Sequence, residues 1–132
     1  MVSATKTLST IVVVDDSRVM HSMYDLILKR YEKCRVVHAM SGEEALDLIK
    51  TTRDFQLIIL DIDMPGMGGL EFMKHYMGRC AGPGAPVVVV SSEGKEEDRR
   101  GLEWGAAAAL AKPFLPVDLH DIIDKLMGIR VR

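Results

Sequence analysis

The sequence lacks most of the features that commit a chain to a special environment. No apolar run approaches the roughly 20 residues of a membrane-spanning helix, and no secretory leader opens the chain. Cysteine is scarce. Cys34 and Cys80 stand far apart, form no C-x-x-C unit and no disulfide framework, and read as small, partly buried side chains in a reducing compartment. Basic runs are missing, none being longer than Arg99-Arg100, and the net charge of −2 gives no reason to expect a nucleic-acid partner. Internal repeats, linkers and low-complexity tails are absent as well. These absences argue against a membrane protein, a disulfide-stapled secreted domain and a nucleic-acid reader. They leave a soluble, cytoplasmic domain as the expectation.

What is present suits one globular domain. The chain has 132 residues, of which 48% are hydrophobic and 27% charged, enough for a real core and against disorder. A single domain over residues 1–132, with a core from about 10 to 127, is expected.

Short apolar runs alternate with longer amphipathic ones. Ile11 to Val14, Leu57 to Leu60 and Val87 to Val90 are fully apolar, as strands covered on both faces require. Arg35 to His38 reads as a shorter, more polar edge strand, and Ala106 to Leu110 as a small-residue strand. Between them a first helix is expected with Val19, Met20, Met23, Ile27 and Tyr31 on its apolar side. A second follows Ser41, whose hydroxyl can accept the N–H of Glu44 while Glu44 reaches back to the N–H of Ser41. Ala45, Leu48 and Ile49 form its apolar side. Leu70 to Met77 makes a third helix after the loop of Pro65, Gly66, Gly68 and Gly69, and Gly82 to Pro86 a rigid connection. Glu96 to Trp104 makes a fourth helix, and Pro116 to about Met127, stopped by Gly128, a fifth. Five strand–helix units in series predict an α/β fold, a parallel sheet with helices on both faces. The chain ends soon after the fifth helix, so an output domain is not expected within it.

Ligands of such sheets bind beyond the carboxyl ends of the strands. Asp15 and Asp16 follow the first strand. Asp61 ends the third, with Asp63 two residues on. Ser91 and Ser92 follow the fourth, and Lys112-Pro113 the fifth. One aspartate after a strand is usually a turn or cap residue. Four strand ends with matching chemistry are harder to explain that way. Two carboxylates about 4 Å apart repel by about 4 kcal/mol at an effective dielectric near 20, so a cation must compensate. A hard divalent ion suits carboxylates, and Mg²⁺ commonly takes one or two of them with waters and phosphate oxygens. Lys112 supplies a second cation and Ser91 a neutral donor. An aspartate can act as nucleophile and form an acyl phosphate, and phosphoryl transfer asks mainly for positioning and charge neutralisation.

Val-Val-Val-Asp15-Asp16-Ser, Leu-Ile-Ile-Leu-Asp61-Ile-Asp-Met-Pro65-Gly-Met and Ala-Lys112-Pro113-Phe114 resemble, in order and spacing, the receiver domain of two-component response regulators. The length is similar to that of the single-domain chemotaxis type. The resemblance runs from Ile11 to about Met127. It implies a flavodoxin-like, doubly wound sheet of five parallel strands in the order 2-1-3-4-5 with five helices. It further implies that Asp61 is phosphorylated, that Asp16 binds Mg²⁺ directly and Asp15 through water, and that the backbone carbonyl of Asp63 is a further ligand. Ser91 takes the place of the switch hydroxyl, and Lys112 contacts the phosphoryl group, with a cis peptide before Pro113. The implied partners are a sensor histidine kinase or histidine phosphotransfer protein, and a downstream protein met through the fourth helix and fifth strand.

Three departures bear on the relay of the signal. Gly68-Gly69 stands where the family often has Asp-Gly, at an expected cost of a few tenths of a kcal/mol. Ala109 stands where an aromatic ring often rotates. The fourth helix has only Leu102 and Trp104 as large apolar residues, with Gly94 and Gly101 lowering its propensity. Trp104 reads as core filling beside the alanine-rich strand or, more sharply, as a partner contact. The weakly anchored helix itself is then the expected switch. His21, His38, His75 and His120 show no ligand spacing and read as surface or half-buried residues, and the methionines as packing. Two rival functions remain. One is an interaction module indifferent to phosphorylation. The other is a phosphatase, since Asp61-Ile-Asp63 resembles the DxD motif of haloacid-dehalogenase-like enzymes, although Pro65 stands where that family has Thr or Val.

Overall fold

Three four-residue apolar runs form the centre of the sheet because each can be covered from both sides. The computed structural model describes residues 8–52, 54–79, 84–92 and 100–129. Its strands are β1 (Thr10–Val14), β2 (Arg35–Ala39), β3 (Leu57–Asp61), β4 (Val87–Ser91) and β5 (Ala108–Ala111). All pair in parallel, in the order β2-β1-β3-β4-β5. The helices are α1 (Arg18–Leu28), α2 (Gly42–Thr51), α3 (Gly69–Arg79), α4, whose helical residues 100–103 are described, and α5 (Pro116–Met127). The fold is therefore the expected doubly wound sheet with five helices. Part of the fourth-helix expectation, residues 96–99, lies outside the described residues, as do Gly82 and Pro83 of the connection before β4.

Strand alternation divides the core into two layers. Ile11, Val13, Leu57, Ile59, Val88 and Val90 face α1 and α5, meeting Tyr24, Ile27, Leu28, Leu119, Ile123 and Met127. Val12, Val14, Ile58, Leu60, Val87 and Val89 face the other way, onto Ala45, Phe72, Met73 and Tyr76 of α2 and α3. Burying each such aliphatic side chain contributes about 1.5–3 kcal/mol.

The apolar side assigned to α1 needs correction. Its buried residues are His21, Tyr24, Ile27 and Leu28, continued by Tyr31. Val19 and Met23 face solvent, with Leu26 beside them. The helix carries two apolar stripes, and the sheet covers the one bearing the larger, partly polar side chains. Three other details differ. Ser41 accepts from the N–H of Glu44 as expected, but the Glu44 carboxylate returns to the N–H of Met40. β5 begins two residues later than expected, because a run of alanines offers no polar break to mark a strand end. Met23 and Met77 are exposed rather than packed.

The glycine pair before α3 is more constrained than capping alone suggests. Gly68 offers its carbonyl to the N–H of Phe72 and so occupies the N-cap. A Cβ at Gly69 would lie 2.4 Å from the Cα of Ile62 and 2.6 Å from the carbonyl oxygen of Asp61. Gly69 therefore lets α3 start directly against the residue that ends β3. Replacing Gly69 with Ala is expected to lower stability by about 3 kcal/mol, while Gly68→Asp, where a Cβ meets nothing closer than 3.7 Å, raises it by a few tenths. Urea denaturation of both variants checks this contrast.

Candidate functional site

β1 and β3 are neighbours, but the chain leaves them in opposite directions across the sheet. Their carboxyl ends flank the crevice at which such sheets hold ligands. Asp15 follows β1 and is buried, Asp16 is exposed, and Asp61 is the last residue of β3 with only 3% of its surface exposed. Carboxylate oxygens of these three all lie within 4.8 Å of one another. Lys112, just after β5, extends its Nζ to 3.4 Å from Asp61 Oδ2 and 3.7 Å from Asp15 Oδ2. Its own N–H donates to the carbonyl of Ser91, which ties the two strand ends together at 2.9 Å. The Lys112–Pro113 peptide is cis, as expected. Ser91 is fully buried at the end of β4.

Two of the three carboxylates are individually fixed. The Asp61 Oδ1 accepts the N–H of Asp63 at 2.9 Å, and the Asp15 Oδ1 accepts the N–H of Ser17 at 2.9 Å. Burial pushes the Asp61 carboxyl above its usual range. The Asp63 N–H and Lys112 draw it down, while the neighbouring charges of Asp15 and Asp63 add to the rise. Beneath the site the Tyr24 hydroxyl is pushed far up, by burial first and then by Asp15 and Asp61.

The donor set fits a hard divalent cation. The residues are carboxylates, the preferred partners of Mg²⁺, and the Asp15 Oδ2 is buried with no hydrogen-bond donor among the described residues. Among the described residues a single ammonium, at more than 3.3 Å, faces three converging carboxylates, which leaves them short of positive charge.

Asp63 turns its side chain elsewhere. Its Oδ2 accepts both the N–H and the hydroxyl of Ser92, at 2.6 and 2.8 Å, clasping the loops after β3 and β4 to each other. Ala109 lies opposite Val89, half-buried against the α2–α3 layer. Leu102 and Trp104 are not in the acidic cluster. Both are exposed, and Trp104, at 42% exposure, stacks its ring under the ammonium of Lys74 rather than filling the core. Gly101 is buried, and a Cβ there would lie 2.7 Å from Val89, so this glycine lets α4 approach β4 closely.

Two features escaped sequence reasoning. A shallow groove lined by Met20, Met23, Ser92, Lys112, Pro113 and Phe114 adjoins the acidic cluster. Its α1 residues were assigned to the core. A row of side chains, Asp25, His38 and His21, leads to the backbone of Asp15. The 17-residue gap between the histidines hid it, because the burial of that face of α1 and the pairing of β2 with β1 are both needed to bring them together.

Comparison with known proteins agrees with this geometry. A family model described as the response regulator receiver domain matches residues 11–124. The chain is 33% identical over 119 residues to a chemotaxis protein CheY homolog of Campylobacter jejuni, covering 89% of this chain and 92% of that protein. It is 34% identical over 118 residues to the two-component response regulator ORR3 of Oryza sativa, covering 89% of each. Among solved structures, the chemotaxis protein CheY4 of Vibrio cholerae superposes with a TM-score of 0.80 at 30% identity, covering 90% of this chain and 98% of that one. With five parallel strands in matching order and a matched segment that carries every acidic residue of the cluster together with Lys112, the chain belongs to the receiver domain family of two-component response regulators.

Proposed function

We propose that Asp61 takes a phosphoryl group from the phosphohistidine of a sensor histidine kinase or histidine phosphotransfer protein, and that the phosphorylated chain changes its binding to a downstream protein. The observation that carries this reading is the ammonium of Lys112 held over two of three converging carboxylates. In the transfer, an Asp61 carboxylate oxygen bonds to phosphorus, the P–N bond breaks, and its electron pair stays on the imidazole. Lys112 is placed to neutralise charge on the transferred oxygens. Ser91 donates to one of them. Asp15, Asp16 and Asp61, with the backbone carbonyl of Asp63, are the residues to hold Mg²⁺, which when bound supplies charge neutralisation at the phosphoryl oxygens. The chain catalyses only its own phosphorylation and dephosphorylation. It acts as a single receiver unit, in the cytoplasm.

Intact-mass measurement after exposure to a phosphoramidate donor and Mg²⁺ tests the reading. A phosphoryl adduct that maps to Asp61 is expected. An unmodified chain would favour the rival interaction module, and turnover of small phosphoesters the rival phosphatase.

The donor protein has a ready approach. Val19, Met23 and Leu26 recur at helical spacing on the solvent side of α1, Val19 being 70% and Leu26 67% exposed. They adjoin the groove that reaches Lys112 through Met20 and Phe114, and Leu115 and Val117 at the start of α5 are exposed too. A charge placed on this stripe, as in Val19→Glu, is expected to slow transfer from a phosphorylated protein donor about tenfold more than transfer from phosphoramidate, the loss typical of one interface anchor. Parallel rate measurements with the two donors check the ratio. On the output side, Leu102 and Trp104 of the α4 region form the surface offered to the downstream partner, next to β5 with its Ala109.

A further inference from the structure

We propose that His21, His38 and Asp25 are positioning residues for the cation site, a hydrogen-bonded chain that runs from the protein surface to the backbone carbonyl of Asp15 and fixes the turn on which Asp15 and Asp16 stand. The inference rests on the reading of Asp15 and Asp16 as Mg²⁺ residues.

The chain has three contacts. The exposed carboxylate of Asp25 accepts from His38 Nε2 at 2.8 Å. The two imidazoles meet Nδ1 to Nδ1, edge to face, with ring centroids 4.6 Å apart. His21 Nε2 then donates to the carbonyl oxygen of Asp15 at 2.7 Å. Asp25 and His21 lie one turn apart on α1, while His38 belongs to β2, opposite Val13 of β1. The chain therefore joins a helix, the edge strand and the end of the central strand.

The partners fix where the hydrogens are. A carbonyl and a carboxylate only accept, so each ring keeps a hydrogen on Nε2.

The consequence falls on Asp15. Its N–H donates to Ala39 at 3.1 Å, its Oδ1 accepts from Ser17, and His21 holds its carbonyl. With the peptide held at both ends and one carboxylate oxygen tied, the other, Oδ2, is left facing Lys112 and the acidic cluster. Groups that orient metal ligands from outside commonly change metal affinity by about 10–100-fold when removed. Here the support acts through the backbone, and a smaller effect of about fivefold is expected.

The simpler alternative is that both rings only fill the seam between α1 and β2. The variants separate the two. Gln at position 21 can place an amide N–H where Nε2 stands, and Leu cannot. On the full chain, Mg²⁺ titration should give His21→Leu an affinity about fivefold weaker, with His21→Gln returning to within about twofold and Asp25→Ala, at an exposed position, falling between. Nitrogen-15 spectra of the wild-type imidazoles should place a hydrogen on Nε2 of both rings. A folded His21→Leu that binds Mg²⁺ like the wild type, or a His21 hydrogen found on Nδ1 alone, overturns the chain. The spectra and Asp25→Ala serve if the core variant does not fold. Wild-type protein that takes no Mg²⁺ overturns both this inference and the reading beneath it, whereas wild-type binding with an indifferent His21→Leu overturns only the chain.

Discussion

Replacing Asp61 with Asn is expected to abolish phosphoryl uptake while leaving the fold intact. The amide matches the carboxylate in shape, and its oxygen can still accept the N–H of Asp63, but it is no nucleophile at neutral pH. Intact mass after incubation with phosphoramidate and Mg²⁺ should show the adduct on the wild type and none on the variant, a loss of at least about 10³-fold in rate. Transfer to another residue at a comparable rate would displace Asp61 from its role.

The same substitution has a second, opposite effect on stability. Burial and the charges of Asp15 and Asp63 raise the Asp61 carboxyl above its ordinary value of 3.8. The native state then holds this proton more tightly than the unfolded chain does. Without metal, the stabilising contribution is full below 3.8 and is lost as pH climbs through the raised native value. Metal-free Asp61→Asn should therefore unfold at higher urea than wild type at neutral pH. The advantage should shrink on acidification into the ordinary carboxylate range, and Mg²⁺ should narrow it from the other side by stabilising only the wild type.

Lys112→Ala should produce the next largest effect. Lys112 is the only ammonium among the described residues within 4 Å of Asp15 and Asp61. Its removal leaves two buried carboxylates facing each other, a loss of about 3 kcal/mol in the absence of Mg²⁺. Phosphorylation should slow about 10²-fold, the usual consequence of losing one preorganised charge at developing negative charge. Lys112→Arg separates the two losses. The guanidinium restores the charge, and with it most of the stability, but its planar fork does not occupy the position of a compact ammonium, so the rate stays low. Denaturation with and without Mg²⁺, beside single-turnover phosphorylation, reads both. An alanine variant as fast as wild type would show that Lys112 acts after transfer rather than during it.

Most of the site was legible because its residues follow strands, and a strand that ends at a given residue delivers that residue to one known edge of a parallel sheet. Asp15, Asp16, Asp61 and Lys112 could be placed together without coordinates for this reason. Trp104 was harder. An aromatic residue next to a small-residue strand is as compatible with filling a gap as with lying on the surface, and the choice depends on how closely α4 approaches β4. Gly101 decides that distance from a position at which the sequence suggests only weak helix propensity.

The sequence by itself determined the five strands, their parallel arrangement and the collection of carboxylates and lysine at one edge, since these follow from local hydropathy and from chain order. Only the tertiary structure decided which stripe of α1 is buried. Tyr24, Ile27, Leu28 and Tyr31 compete with Val19, Met23 and Leu26 for the sheet, and both sets have helical period, so hydropathy alone favours neither. The same choice of face turns His21 inward, against the end of β1. Strand pairing then brings His38 to it from 17 residues away. Pair contacts of this kind depend on the rotation of a helix about its axis, which no local pattern in this chain encodes.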